Sequence, residues 1–352
     1  MPIVAKRNRI KTKLKAIALM LCIAAGLTAY IFYRAFYGPS IRLSVKSRII
    51  YIHTGWNINQ VVNMLKYKHL IRNPKAFKLL AGIKDYSTHI KPGRYRVMNK
   101  MNNMQLVNLL KSGRQEPETI SIRDIRTLQE LAGLVSYKIE ADSSVILNVL
   151  LNSKTLNKYG FTAQSFPVMF IPGTYPLLWT ETPAQFIEEM HTDYEMFWTP
   201  ERRRLAAAIP LTPLQVSVLA SIVQAEQSVY NDEKPVIAGL YINRLKKHIP
   251  LQSDPTLIFA RGDFSIMRVR QGDKEIDSPY NTYMHTGLPP GPINFPEPSS
   301  LDAVLHYQQS NYLYMCAEDD FSGRHHFSTS FKEQERYAAC YREALNKRGI
   351  TR

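Results

Sequence analysis

A chain of 352 residues has room for two or three domains, taking roughly 100–200 residues for each. With 45% hydrophobic and 21% charged residues it can bury real cores, which excludes a disordered chain. A formal net charge of +16 invites a nucleic-acid partner, but six of those charges precede one apolar run and the rest are spread without a dense Lys/Arg block.

Lys6, Arg7, Arg9, Lys11, Lys13 and Lys15 lead into an uncharged run from Ala16 to Tyr33, closed by Arg34. The run approaches the roughly 20 residues that cross a bilayer core as a helix. Tyr30, Phe32 and Tyr33 gather at its far end, where aromatic rings prefer the interface. A cleaved signal peptide would show a shorter apolar region and a small-residue cleavage pattern, and a lipidated Cys22 would want a small residue in place of Leu21. The pattern predicts a retained single-pass anchor: a basic cytoplasmic tail over 1–15, a transmembrane helix over 16–34, and the bulk of the chain extracytoplasmic. In that compartment nucleic acid is not an expected partner; a carboxylate-bearing polymer or an anionic membrane surface suits the basic balance better.

Residues 42–117 read as a small α+β module. Arg48 to Ile52 is rich in β formers and predicts a strand. Asn57 is placed to cap a helix whose Ile58, Val61, Val62 and Leu65 share one face. Asn73-Pro74 opens another helix, with Gly82 expected just past its end. Pro92-Gly93 predicts a turn, Tyr95 to Val97 a strand, and Leu106 to Leu110 a last helix that stops at Gly113. The stretch Asn59 to Leu65 echoes Met104 to Leu110, either as a duplicated unit or as two amphipathic helices of similar pattern. A connecting region follows over 118–200, with a strand at Thr119 to Ile122, a helix around Leu128 to Leu134, a rigid turn segment at Phe170 to Pro176 and a helix over Pro183 to Met190.

The chemistry concentrates in 201–349. Thr212 and Pro213 begin a helix that is apolar or small nearly throughout and therefore buried on most sides. Glu226 falls on the stripe of Val216, Leu219 and Val223 near the end of that helix. A carboxyl group held there resists ionisation, and the raised pKa suits a general acid. The competing reading is an ordinary exposed Glu at a helix end, beside Gln227, Ser228 and Asn231. Gln224 is rotated by roughly 200° from Glu226 and cannot serve the same pocket. Asp254, ahead of Pro255, reads as a helix cap or as an orienting group. Ser278 to Tyr283 forms a polar-aromatic loop suited to sugars, and Gly287 to Ile293 a rigid one. Cys316 and Cys340 either pair or stay as separate thiols; neither has metal-ligand spacing.

Five motifs occur in one order: Leu219 to Val223 with Glu226; Ala238-Gly239, Tyr241 to Leu245; Leu251-Gln252, Asp254 to Thr256; Tyr280 to Tyr283; and Gly287 to Ile293. Together with Phe170 to Tyr175, Tyr312 to Tyr314 and His326 to Ser328, they resemble the YceG-like family of endolytic murein transglycosylases. The resemblance covers nearly all of the chain after the anchor. It implies an α+β protein in three parts: a single N-terminal transmembrane helix, a LysM-like α+β module, and an α+β catalytic domain over 201–349 with its catalytic Glu near the end of a buried helix. It implies a lytic transglycosylase at the inner membrane that cuts peptidoglycan glycan strands beside peptidoglycan synthases, the penicillin-binding proteins, with no metal or organic cofactor. Glu226 takes the family's catalytic position; with a glycan as substrate, Gln252, Asp254, Asn281, Thr282 and Tyr283 are the expected substrate-binding residues. One departure is Gln224, where members commonly carry a second Glu. A catalytically inactive wall-binding or scaffold protein is the alternative that this departure leaves open.

Overall fold

The computed structural model describes residues 2–266 and 269–349; of residues 2–12 only the helical backbone is described, so the side chains of Lys6, Arg7, Arg9 and Lys11 lie outside it. Helix α1, Pro2–Tyr37, contains one stretch, Lys13–Tyr37, long and apolar enough to cross a membrane and with none of it buried. It runs past the expected end at Arg34, through a stacked Tyr33–Tyr37 pair at 5.5 Å, and closes where the amide of Gly38 donates to the Arg34 carbonyl. A Cβ at Gly38 would strike that carbonyl, so glycine fits the tight exit.

The chain divides into two compact units, the first formed by residues 1–118 with 177–180. After α1 it contains β1 (Ser47–Ile52), α2 (Ile58–Tyr67), α3 (Pro74–Ile83), β2 (Gly93–Met98) and α4 (Asn103–Ser112). The two strands pair antiparallel, Ile50 opposite Tyr95. Alternation turns Ile50, Ile52, Tyr95 and Val97 inward, onto Val61 and Leu65 of α2, Phe77 and Leu80 of α3, and Leu106 and Leu110 of α4. The sequence echo between α2 and α4 has a local cause. Each begins with a capping box, Asn57 with Gln60 and Asn102 with Gln105, and each buries the corresponding pair, Val61/Leu65 and Leu106/Leu110. Gly82 does not end α3; the helix continues to Ile83, and Asp85 takes the left-handed position instead, while Tyr86 donates back to the Ala81 carbonyl.

The second unit joins residues 119–176 with 181–352. Its elements are β3 (Glu118–Ile122), α5 (Leu128–Ser136), α6 (Ser143–Leu150), α7 (Ser153–Tyr159), β4 (Gly173–Leu177), α8 (Pro183–Phe197), α9 (Pro200–Ala208), α10 (Pro213–Glu226), α11 (Lys234–Lys246), α12 (Asp254–Arg261), α13 (Pro298–Leu305), β5 (Tyr314–Ala317), β6 (His325–Ser328) and α14 (Phe331–Lys347). The segment expected as a rigid turn is in part strand β4, paired with β3. The helix expected to stop at Met190 reaches Phe197. Residues 119–176 and 181–200 of the expected connecting stretch belong to the same unit as residues 201–349: Phe170 lies 6.0 Å from Phe295, ring to ring, and the Phe295 amide donates to the Ile125 carbonyl.

Helix α10 is the axis of this unit. A Thr212–Gln215 capping box and Pro213 at the first position fix its start. Every side chain from Val216 to Val223 is buried, which overrides the modest helix propensity of its valines and isoleucine. The Pro290-Gly291-Pro292 loop packs beside it, and the amide of Ile293 donates to Ser221 Oγ at 3.0 Å. A Cβ at Gly291 would run into the Gln164 carbonyl and come within 2.9 Å of the Tyr280 hydroxyl. Gly291→Ala is therefore expected to lower the midpoint of thermal unfolding through an overpacking cost of about 1–3 kcal/mol; an unchanged midpoint would show that the loop relaxes freely.

Candidate active site

Glu226 is the last residue of α10, and its side chain reaches a cleft of about 570 Å³. Protein atoms crowd the carboxyl group although it stays partly open to the cleft. Tyr241, projecting from α11, donates its hydroxyl to Glu226 Oε1 at 2.7 Å, and Ser253 donates to the same oxygen at 2.5 Å. Both donors converge on Oε1, and Oε2 has no partner among the described residues. A proton on this carboxyl group therefore belongs on Oε2. Burial pushes the carboxyl above its ordinary value; the Ser253 and Tyr241 hydroxyls pull it down, the Asp254 charge raises it and His325 lowers it. Burial, the charge on Glu226 and its hydrogen bond raise the Tyr241 phenol well above its usual range, so it remains a donor.

The walls come from α11, the loop into α12, the loop that carries Lys274 and Tyr283, hairpin β5–β6 and the start of α14. On α11, Arg244 donates to the carbonyls of Pro250, Leu251 and Leu313 at 2.6–3.1 Å and to Gln252 Oε1 at 3.0 Å. One buried guanidinium thus ties the loop before α12 to the strand β5 region. Gln252 has a φ of 53°, a left-handed position costly for a non-glycine residue and frequent at functional sites. Its amide donates to the Thr282 carbonyl at 2.9 Å. Hairpin β5–β6 supplies Tyr314, Cys316 and His325.

Gln252, Asp254 and Tyr283 line the cleft with Glu226, whereas Asn281 and Thr282 do not. Asn281 is fully buried: its Nδ2 donates to the carbonyls of Lys274 and Ile276, and its Oδ1 accepts from the Tyr283 amide. Thr282 is buried too, its Oγ1 accepting from the Ser253 amide at 3.0 Å and 2.8 Å from that of Thr256. The pair shapes the loop that presents Tyr283 and positions Ser253, with both side chains buried behind the cleft wall. Asp254 is not the helix cap: Ser253 occupies that position, leaving Asp254 as the first helical residue, where it accepts from the Tyr283 hydroxyl at 2.5 Å.

Gln224 faces away, toward a separate cavity of about 340 Å³ with Arg126 and Phe264. Its amide is spent on structure, accepting from the Glu297 amide at 2.7 Å and from Ser300 Oγ at 3.1 Å. Cys316 and Cys340 are both free thiols.

Tyr241, Ser253, Arg244, Glu233 and His325 received no role from the sequence. Ser253 sat between two residues that did, at a variable place in its motif. His326 belongs to the His326 to Ser328 motif, but it is His325 that enters the cleft, while His326 stacks on Tyr337 of α14 at 4.4 Å. His325 is held by the buried Glu233, which accepts from its amide at 3.1 Å and lies 3.0 Å from its Nδ1.

Compared with known proteins, residues 50–339 match the YceG-like family. The chain is 27% identical over 318 residues to an endolytic murein transglycosylase of Streptococcus pneumoniae, covering 82% of this chain and 57% of that protein. It is 25% identical over 343 residues to an endolytic murein transglycosylase of Bacillus subtilis, covering 91% of this chain and 92% of the relative. The chain thus spans little more than half the length of the pneumococcal relatives and most of the Bacillus one. A crystal structure of a YceG-like protein from Listeria monocytogenes is similar with a TM-score of 0.56 and 25% identity, over 83% of this chain and 98% of that one.

Proposed function

The chain belongs to the YceG-like family, and from that premise we propose that it is a membrane-anchored endolytic lytic transglycosylase whose single catalytic carboxyl is Glu226. The observation that carries this reading is the Glu226 carboxyl: poised by two hydroxyls on Oε1, raised by burial, and open to a cleft through Oε2. Paired-carboxylate glycosidases need a second, ionised carboxylate to activate water or attack the sugar. Here Oε2 protonates the oxygen bridging MurNAc and GlcNAc, and the bond to the MurNAc anomeric carbon breaks. The carboxylate then takes the proton of the same MurNAc C6 hydroxyl, which closes onto the anomeric carbon and leaves a 1,6-anhydro end. The nucleophile is part of the substrate, so holding the sugar in place substitutes for an activated water.

Gln252, Asp254 and Tyr283 contact the glycan in this reading, with Asn281 and Thr282 holding the loop from behind. Helix α1 anchors the chain in the inner membrane, its basic end cytoplasmic and the remainder extracytoplasmic. The β1–α4 module acts as a LysM-like wall-binding element, and cleavage beside penicillin-binding proteins limits nascent strand length. The inactive-scaffold alternative draws its support from Gln224, and the engagement of that amide with Glu297 and Ser300 weakens it.

Full-length protein incubated with uncrosslinked glycan strands is expected to give anhydro-ended fragments by mass spectrometry. Fragments with ordinary reducing ends would replace this mechanism with hydrolysis, and intact strands would remove the enzyme reading.

The pH profile tests the acid role separately. Cleavage requires protonated Glu226, so kcat/KM is expected to fall as pH rises through its raised pKa. Ser253→Ala removes an interaction that lowers this pKa and is expected to move the falling limb to higher pH. Asp254→Asn removes one that raises it and is expected to move the limb to lower pH. Shifts of the same sign would show that Glu226 does not set the limb.

A further inference from the structure

The first unit holds a cavity of about 570 Å³ where α1 leaves its apolar stretch. Tyr30 and Ile31, from the membrane-length segment, line one part of it, and Arg34, Arg42 and Arg72 line another. No carboxylate belongs to the lining, and among the described residues none of these arginines forms an ion pair. Two helix starts open on the same space: Asn73 is the cap of α3, and Asn103 is the first residue of α4. Pro74 opens α3 without an N–H, and Asn73 and Asn102 already cap the two helices, so the positive potential of the cavity comes mainly from the three guanidinium groups, with the helix dipoles adding to it.

Two leftover polar atoms point to a ligand more directly. Ser40 Oγ and Asn103 Oδ1 are buried, belong to residues lining this cavity, and have no hydrogen-bond partner. The Asn103 amide orientation is fixed, because Nδ2 donates to the Ala35 carbonyl at 2.8 Å. Buried polar groups are nearly always satisfied, so these two call for a ligand that both accepts and donates. A phosphate oxygen accepts from Ser40 and the arginines; a headgroup hydroxyl donates to Asn103.

We infer that this cavity binds the phosphate-bearing headgroup of an anionic membrane phospholipid, fixing the module against the bilayer at the level of Arg34. The inference rests on α1 lying in the bilayer, which brings the cavity to headgroup height. Tyr30 and Ile31 then meet the start of the acyl chains, a contact that a free phosphate would not use.

The test is native mass spectrometry of the full-length protein in neutral detergent, given phosphatidylglycerol, phosphatidylcholine or inorganic phosphate. Wild type is expected to retain phosphatidylglycerol about tenfold better than phosphatidylcholine, and the Arg34→Gln/Arg42→Gln/Arg72→Gln variant to lose that preference. All three side chains are exposed, so the variant is expected to keep its circular dichroism spectrum and its glycan cleavage. Should it fail to fold, Arg72→Gln alone is expected to weaken retention about fivefold. Equal lipid retention by wild type and variant overturns the inference. Capture of inorganic phosphate without preference for the lipid also overturns it, and assigns the cavity to a soluble phosphorylated ligand.

Discussion

Glu226→Gln is expected to abolish anhydro-ended products, with kcat falling by about 10³-fold or more, because one carboxyl serves as both acid and base. The amide has the same shape, and its carbonyl oxygen still accepts from Tyr241 and Ser253, so the hydroxyls now 2.7 and 2.5 Å away keep a partner. What disappears is the transferable proton at Oε2. The variant loses a group that is costly to ionise where it sits, so its thermal midpoint is expected to match or exceed that of wild type. Wild-type and variant products from uncrosslinked strands, compared by mass spectrometry beside thermal unfolding curves, separate chemistry from folding. Equal cleavage by both proteins would place the acid elsewhere, and a large fall in midpoint would mean that Glu226 is structural.

The candidate acid was legible because its signals are local. A Thr-Pro start and a long apolar run announce α10, and helical phase alone separates Glu226 from Gln224. Its neighbours were harder to read, because they arrive from distant segments. Tyr241 belongs to the next helix and Ser253 to the loop after it, and nothing in the spacing says that both hydroxyls meet Oε1. Ser253-Asp254-Pro255 offers two residues able to cap α12, and a one-residue difference decides whether Asp254 caps the helix or faces the cleft. Asn281 and Tyr283 look equally available in a polar loop; burial of the first and partial exposure of the second separate them. Strand β4 was hidden by its glycine and proline, residues that speak against a strand until the pairing with β3 is known. In the first unit most signals are again local, caps above all, and α3 departs from expectation only at its end, where Asp85 rather than a glycine takes the left-handed turn.

Glu233→Ala is expected to carry the second large effect, although Glu233 does not line the cleft. Its buried carboxylate accepts from Gln227 Nε2 at 2.7 Å and from the His325 amide at 3.1 Å, and stands 3.0 Å from His325 Nδ1. Gln227 directly follows Glu226, and it also donates to the Gly323 carbonyl at 3.0 Å. One carboxylate therefore couples the end of α10 to the hairpin that brings His325 into the cleft. Truncation leaves buried donors unsatisfied, at a cost of about 3 kcal/mol in unfolding free energy. It also frees the hairpin to shift, and displacement on the order of 1 Å lowers turnover by roughly 10²-fold. Glu233→Gln retains one acceptor but turns an NH₂ toward groups that already donate, so it is expected to fall between wild type and the alanine variant on both measures. Denaturant titration combined with kcat per folded molecule distinguishes positioning from mere support. A less stable protein that turns over at the wild-type rate would show that Glu233 holds the fold together without aligning Glu226 and His325.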